Sequence, residues 1–234
     1  MCYEDDWLLV VSKPSGLLSV PGRTRPAEHS LIGQIQLAWP DARIVHRLDM
    51  DTSGLMVLAR DADTHRALSR SFERRQISKT YQAWCFGMPS QQQGTLQLPQ
   101  ICDWPNRPRQ KIDMRQGKAT HTDWALRTET LCLDGHHHAF EVTLSPTTGR
   151  SHQLRLQMAS LGHPILGDNL YAPERIQRLS SRLMLHACHL SFMHPLTQQP
   201  LCFDYPLSDW HKKCFVTDNQ PTEQETDRGF SYDH

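Results

Sequence analysis

The apolar residues of this chain come in short runs, each closed by a turn signal. That punctuation constrains the fold more than any other feature. Trp7-Leu8-Leu9-Val10-Val11 runs straight into Lys13-Pro14-Ser15-Gly16, and Leu55-Met56-Val57-Leu58-Ala59 sits between Gly54 and Asp61. Apolar runs this short, bounded by Pro, Gly and Asp, are strand material. Residues 79–87 alternate and carry aromatics. Segments 94–101, 120–144 and 183–192 read as further strands, with Asp134-Gly135 as a hairpin signal inside the second. Helical spacing is confined to three places. One, started by His29 or Ser30, runs to Ala38 and is stopped by Pro40. The second, capped by Asp61 or Asp63, runs to about residue 76 with Ala67, Leu68 and Phe72 on one face. The third is 151–161, with Leu154, Leu156, Met158 and Leu161. Strands outnumber helices and several are joined by turns, so antiparallel pairs should dominate. The expected class is α+β, not a doubly wound sheet.

With 234 residues and 38% hydrophobic content, the chain can build one large core or two small ones. No stretch approaches the roughly 20 apolar residues of a membrane span. Residues 1–6 hold acids and no apolar run, unlike a secretory signal, so a cytoplasmic location is expected. Seven cysteines are scattered without a C-x-x-C pair. They are expected to be reduced thiols, neither a disulfide framework nor a zinc site. His136, His137 and His138 fall at the hairpin turn. Neighbours in an extended chain point opposite ways, which favours a solvated turn over a metal site.

The net charge is zero, 25 basic against 25 acidic residues, but the charge is unevenly placed. Residues 204–234 hold seven acids and three bases, leaving 22 bases and 18 acids over 1–203. Within 104–118, Arg107, Arg109, Lys111, Arg115 and Lys118 face a single acid, Asp113. Phosphate contacts require such a local basic strip, and a solvated loop accounts for the charges equally well. Residues 1–215 are expected to form one domain and 216–234 a polar, disordered tail.

Two polar constellations stand out. His46-Arg47-Leu48-Asp49-Met50-Asp51-Thr52-Ser53-Gly54-Leu55 lies between apolar strands, where catalytic loops usually sit. Thr52 and Ser53 offer hydroxyls and amides to Asp49. By pattern alone, an Asx-type turn and an active site fit equally. Thr148-Gly149-Arg150-Ser151-His152-Gln153-Leu154-Arg155 looks like a turn at Gly149 opening a helix. Its amides can bind an anion, and Arg150 can reach a carboxylate; an ordinary helix start with surface arginines fits the same residues. Lys79-Thr80-Tyr81 puts Lys79 and Tyr81 on one side of a strand, and a tyrosine on a site wall can stack on a base.

These pieces together resemble the RluA family of pseudouridine synthases. HRLDMDTSGL at 46–55 is similar to its signature loop, KPSGLLSVPGR at 13–23 to its N-terminal motif and KTY at 79–81 to its tyrosine motif. TGRSHQLR at 148–155, LGHPILGD at 161–168 and RLMLHA at 182–187 resemble its later motifs, in the same order. The resemblance spans about 3–206. It implies the pseudouridine synthase catalytic fold, a long mixed and mostly antiparallel sheet with flanking helices and a central cleft. The implied reaction breaks the N1–C1′ bond of a uridine flipped out of its stack, turns the uracil and rejoins it through C5. By resemblance Asp49 is the essential carboxylate, either attacking C1′ or removing a C2′ proton, and Arg150 pairs with it. Tyr81 stacks on the flipped base and is a candidate for taking the C5 proton, Arg47 fills the gap the base leaves, and Leu185 forms an apolar wall. His46, Thr52, Arg107, Arg109, Lys111 and Arg155 complete the expected substrate and RNA contacts. No metal or organic cofactor is expected, because isomerisation involves no redox step. ICDWPNRPRQK at 101–111 further resembles the short dual-specificity member. That likeness implies uridine 32 of a tRNA anticodon stem-loop and uridine 746 of a 23S rRNA hairpin as targets. The sequence does not fix the oligomeric state, and a monomer is the plain expectation.

Two rivals compete with that reading. Asp49-Met50-Asp51-Thr52 partly fits the D-x-D-x-T loop of haloacid-dehalogenase-type phosphatases, which need magnesium, with Asp168 as a possible later metal acid. Against it stand His46 and Arg47 where that pattern has an apolar run, Ser53 where it has its threonine, and the missing α/β alternation. A non-catalytic RNA-binding protein of the same fold would be expected to have lost at least one of Asp49, Tyr81 and Arg150.

Overall fold

The computed structural model describes residues 1–22, 26–127, 130–133, 137–207 and 214–215. Its strands are β1 (Tyr3–Glu4), β2 (Leu8–Lys13), β3 (Arg43–Ile44), β4 (Ser53–Ala59), β5 (Ser78–Phe86), β6 (Gln93–Leu96), β7 (Gln100–Cys102), β8 (Gln110–Ile112), β9 (Thr122–Leu126), β10 (Leu131–Cys132), β11 (His138–Pro146), β12 (Leu185–Met193) and β13 (Pro200–Asp204). Its helices are α1 (Leu31–Ile35), α2 (Ala62–Glu73), α3 (Gln153–Ser160) and α4 (Glu174–Gln177). The Asp134-Gly135 turn, His136 and the expected tail at 216–234 lie outside the described residues. No helix is long and apolar enough to cross a membrane among the described residues.

Eleven strands form one sheet in the order β1-β2-β4-β12-β5-β11-β9-β6, with β3, β13 and β10 joined to β4, β12 and β11. Its described pairings are antiparallel except β4 with β12, which run parallel through His186↔Ser53 and Ala187↔Gly54. The mixed, mostly antiparallel sheet and sparse helices are the expected α+β architecture. A separate two-stranded hairpin pairs β7 with β8.

The parallel seam depends on a glycine. Gly54 adopts φ +117°, and a Cβ there would stand 2.2 Å from the Ala187 carbonyl oxygen. Only a residue without a side chain lets β4 approach β12 this closely at that dihedral.

Local signals explain the flanking elements. Ser30 caps α1 by accepting from the Gly33 amide, and that helix ends earlier than the spacing implied. Asp61 Oδ1 accepts the Asp63 and Thr64 amides at 2.8 and 2.9 Å and opens α2. Leu68 and Phe72 turn inward from α2 against Val57 and Leu190 of the sheet. On the opposite side of that half, Leu31, Ile32 and Leu48 pack on Leu9, Val11 and Met56. The other half buries Trp84, Phe140, Leu144, Leu154 and Met158 between the sheet and α3. Tyr81 is packed against both of these last clusters, at the seam between the halves.

The cysteines are free thiols, Cys85 and Cys188 being buried. The pairing of β12 with β13 nonetheless brings ligand atoms of His189, Cys202 and Asp204 within 4.8 Å of one another, a proximity that linear spacing does not reveal. His189 Nδ1 is already 2.7 Å from Asp204 Oδ1.

Candidate active site

A cleft of about 1310 Å³ opens at the seam. Asp49, Tyr81, Arg150, Arg47, His46, Thr52, Leu185, Arg107 and Arg155 all line it. Arg109 and Lys111, expected with them, do not. Lys111 is exposed on β8, and the Arg109 guanidinium lies over the Tyr171 ring, 5.5 Å from its centre.

The loop carrying Asp49 is clamped by the segment just after β2. Lys13, fully buried, donates to the carbonyls of Pro14, Leu17 and Met50 at 2.9, 2.7 and 2.8 Å. Ser15 donates to the Asp51 carbonyl at 2.6 Å, and the Gly16 amide to the Met50 carbonyl at 3.0 Å. Ser19 donates to the Leu48 carbonyl at 2.7 Å, and its hydroxyl oxygen accepts the Leu48 amide at 3.1 Å. Leu48 plants its side chain in the core, while Arg47 is exposed and Asp49 is half-buried at the cleft. Burial pulls the Lys13 ammonium down to about 8, opposed by the Asp51 and Asp49 carboxylates. At neutral pH its three-donor protonated form predominates.

Asp49 meets a different partner from the one expected. His152 Nε2 lies 4.0 Å from Asp49 Oδ1, whereas Arg150, exposed on the cleft wall, makes no ion pair with it. Nor does Gly149 make the turn into α3. His152 does, in the left-handed region at φ 54°. The helix start is not an open anion site either. Gln153 Oε1 accepts from the Arg150 amide at 3.1 Å and from Thr148 Oγ1 at 2.8 Å, and Gln153 is itself buried.

Two expected RNA contacts are structural. Arg155 is 2% exposed and forms a bidentate pair with fully buried Asp168, at 2.9 and 2.6 Å, with a third bond to Asn169. Asp168 also accepts the Leu170 and Tyr171 amides, so its carboxylate is committed to holding a loop and not to a metal. His46 stacks on Phe72 at 4.5 Å, and its Nε2 accepts the Val57 amide at 3.1 Å. Burial, helped by Lys79, pushes its pKa down to about 3, so the ring is a neutral acceptor that ties the loop to β4.

The remaining cleft groups suit a flat, uncharged ligand. Leu185 is buried at the start of β12 and lines the cleft. Thr52 Oγ1 is buried with no hydrogen-bond partner among the described residues. Burial, then the charge of Asp49, hold the Tyr81 phenol well above its usual range, so it stays protonated. A phenol in that state can stack, and it can take a proton only by passing on its own.

The basic hairpin meets the cleft through Arg107, Pro108 and Gln110. The Arg107 guanidinium sits over the exposed Trp104 ring at 4.5 Å, and the Gln110 amide donates to the Tyr171 hydroxyl at 2.7 Å. Lys13, Ser15, Ser19, His152 and Tyr171 were not among the residues expected to serve the site. Lys13, Ser15 and Ser19 stand in the KPSGLLSVPGR motif, whose resemblance was the one available signal.

Comparison with known proteins shows the chain's family. Residues 7–160 match the RNA pseudouridylate synthase family. The chain is 49% identical over 193 residues to the dual-specificity RNA pseudouridine synthase RluA of Vibrio parahaemolyticus, covering 82% of this chain and 77% of that protein. It is 45% identical over 204 residues to the same-named protein of Escherichia coli K12, covering 87% and 91%. Among solved structures, human RNA pseudouridylate synthase domain containing 1 superposes with a TM-score of 0.74 at 27% identity, over 88% of this chain and 82% of that one. Human RNA pseudouridylate synthase domain containing 4 shares the fold, with a TM-score of 0.69 at 24% identity over 93% and 94%. The chain therefore belongs to the RNA pseudouridylate synthase family and is an RNA-modifying isomerase.

Proposed function

We propose that Asp49 is the carboxylate that acts on the flipped uridine, with Tyr81 stacked on the base and Leu185 walling it. The observation that carries this assignment is the convergence of the loop aspartate and a protonated phenol in one cleft at the sheet's seam. In the family reaction the carboxylate either adds to C1′ as the N1–C1′ bond breaks or takes the C2′ proton to leave a glycal. Both routes use one ionised aspartate beside C1′. Arg47, exposed at the rim, fills the space the base vacates. Arg150, exposed on the cleft wall, swings onto the ribose or onto Asp49 when RNA enters. Thr52 lines the cleft beside the substrate. Arg107, Arg109 and Lys111 take phosphates along the hairpin.

The substrates on this reading are a tRNA anticodon stem-loop, at uridine 32, and a 23S rRNA hairpin, at uridine 746, both handled by a monomer in the cytoplasm. Support comes from the hairpin sequence at 101–111 and from the two relatives whose names carry dual specificity.

Tritium release from RNA labelled at uracil C5 tests both levels. Release from each stem-loop by the wild type, in EDTA, and none by Asp49→Asn with RNA binding retained is the expected result. Full release by Asp49→Asn removes Asp49 from its role, and release from one RNA alone reduces the proposal to a single substrate.

A further inference from the structure

Tyr171 stands between the basic hairpin and the carboxylate. Its hydroxyl oxygen accepts the Gln110 backbone N–H at 2.7 Å and lies 3.0 Å from His152 Nδ1. A backbone N–H only donates, so the Tyr171 proton is free to go to the imidazole. Nδ1 is then the acceptor, and the neutral ring carries its hydrogen on Nε2. That is the atom facing Asp49 Oδ1 at 4.0 Å. The His152 backbone holds a left-handed conformation, and the residue lines the cleft. Two guanidiniums, the exposed Arg109 and the buried Arg155, lie over the Tyr171 ring at 5.5 and 5.6 Å.

We propose that Tyr171 is a positioning residue that fixes His152 as an Nε2–H donor to Asp49, so that RNA seated on the hairpin aligns the catalytic carboxylate. This rests on the assignment of Asp49 given above. At 4.0 Å the histidine and aspartate are longer than a hydrogen bond, a common state for catalytic contacts before substrate arrives. Closing it takes a movement of about 1 Å, which on this proposal RNA seated on the Gln110 strand supplies through Tyr171. The groups facing His152 divide by sign: Asp49, Asp168 and Asp51 favour the imidazolium, while burial and Arg155 oppose it. Burial is the largest influence and lowers the pKa, which keeps the ring neutral.

The test uses the full chain with Tyr171→Phe, His152→Gln, the double variant and Asp49→Asn. Single-turnover tritium release and RNA affinity are measured for each, and histidine ring nitrogens are observed by 15N NMR. In the wild type, His152 is expected to be neutral with its proton on Nε2. Tyr171→Phe should slow turnover roughly ten- to a hundredfold while RNA affinity holds. It should also raise the His152 titration midpoint, because the neutral ring loses its donor. His152→Gln keeps an N–H near the Nε2 position without a tautomer to choose. Adding Tyr171→Phe in that background should therefore change the rate by less than about twofold.

A wild-type proton on Nδ1 overturns the proposal, and so does an equal loss in both backgrounds, which marks simple packing. If Asp49→Asn is inactive while Tyr171→Phe runs at the wild-type rate, the proposal falls and the assignment of Asp49 stands. Activity in Asp49→Asn brings down the assignment itself.

Discussion

Lys13 Nζ lies 2.8 Å from the carbonyl oxygen of Met50, so a fully buried ammonium grips the residue next to Asp49. The same nitrogen holds the carbonyls of Pro14 and Leu17. Lys13→Met fills the volume and removes all three donors. Met50 keeps the Gly16 amide, and Pro14 is exposed, so Leu17 bears most of the loss. A fully buried carbonyl left unpaired costs about 1–3 kcal/mol, and Leu17 is half-buried, so about 1 kcal/mol is the expected scale. We expect a stability loss of that order in urea titrations, together with a larger fall in kcat as the Asp49 loop loosens. An unchanged kcat would free the loop from this clamp.

The Arg155–Asp168 pair yields a different kind of prediction, because both partners are buried. Asp168→Asn leaves the guanidinium charged and underpaired in the interior, a defect that costs roughly 3–5 kcal/mol. Removing both charges while keeping an acceptor for the Leu170 and Tyr171 amides, as in Arg155→Met with Asp168→Asn, should recover part of that loss. RNA affinity at fixed salt should stay near wild type in the double variant. A steep fall in affinity without a fall in stability would return Arg155 to the RNA interface.

How far these roles were legible depends on where the partners lie. The strands were readable because period-two alternation and Pro/Gly punctuation are local, and the caps at Ser30 and Asp61 were readable for the same reason. Lys13 was not. A lysine closing an apolar strand looks like a solvent-facing end, and its decisive partner, Met50, is 37 residues away. Arg155 suffered the reverse error. An arginine in a basic motif looks like a phosphate contact until the fold delivers an aspartate to it. His152 was hidden because a left-handed histidine has no sequence signature, and Gly149 was the more obvious residue for a turn.

His46 makes the fold acid-sensitive. Its pKa is near 3 in the folded chain against an ordinary 6.5. Between those values the unfolded chain takes up a proton that the folded chain refuses, so stability is lost as pH falls below about 6.5 and the loss grows until pH 3. From pH 7 to pH 5 the contribution is about 2 kcal/mol. His46→Gln keeps an acceptor for the Val57 amide and cannot titrate. Urea titrations at the two pH values should show a shallower acid loss in that variant, and equal losses would assign the acid sensitivity to other groups.

Gly54→Ala should be among the most damaging single substitutions. The new methyl would stand 2.2 Å from the Ala187 carbonyl oxygen at φ +117°, where neither backbone can yield without breaking the parallel pairing. A loss of several kcal/mol corresponds to a melting temperature lower by roughly 10 °C or more for a chain of this size. A melting curve matching the wild type would show that β4 can move away from β12.

The hairpin's basic residues should act through phosphate charge. Arg107 and Arg109 are exposed next to the cleft and Lys111 is exposed on β8. Each lies far enough from the core for a glutamate to be tolerated. Replacing all three with glutamate removes up to three phosphate contacts. On single-stranded RNA each contact contributes about 0.7 to the slope of log affinity against log salt. The slope should therefore flatten by about 2, with affinity weakened most at low salt, while thermal stability holds. Filter binding across a salt series reads both quantities. An unaltered slope would mean that the RNA backbone tracks another face of the sheet.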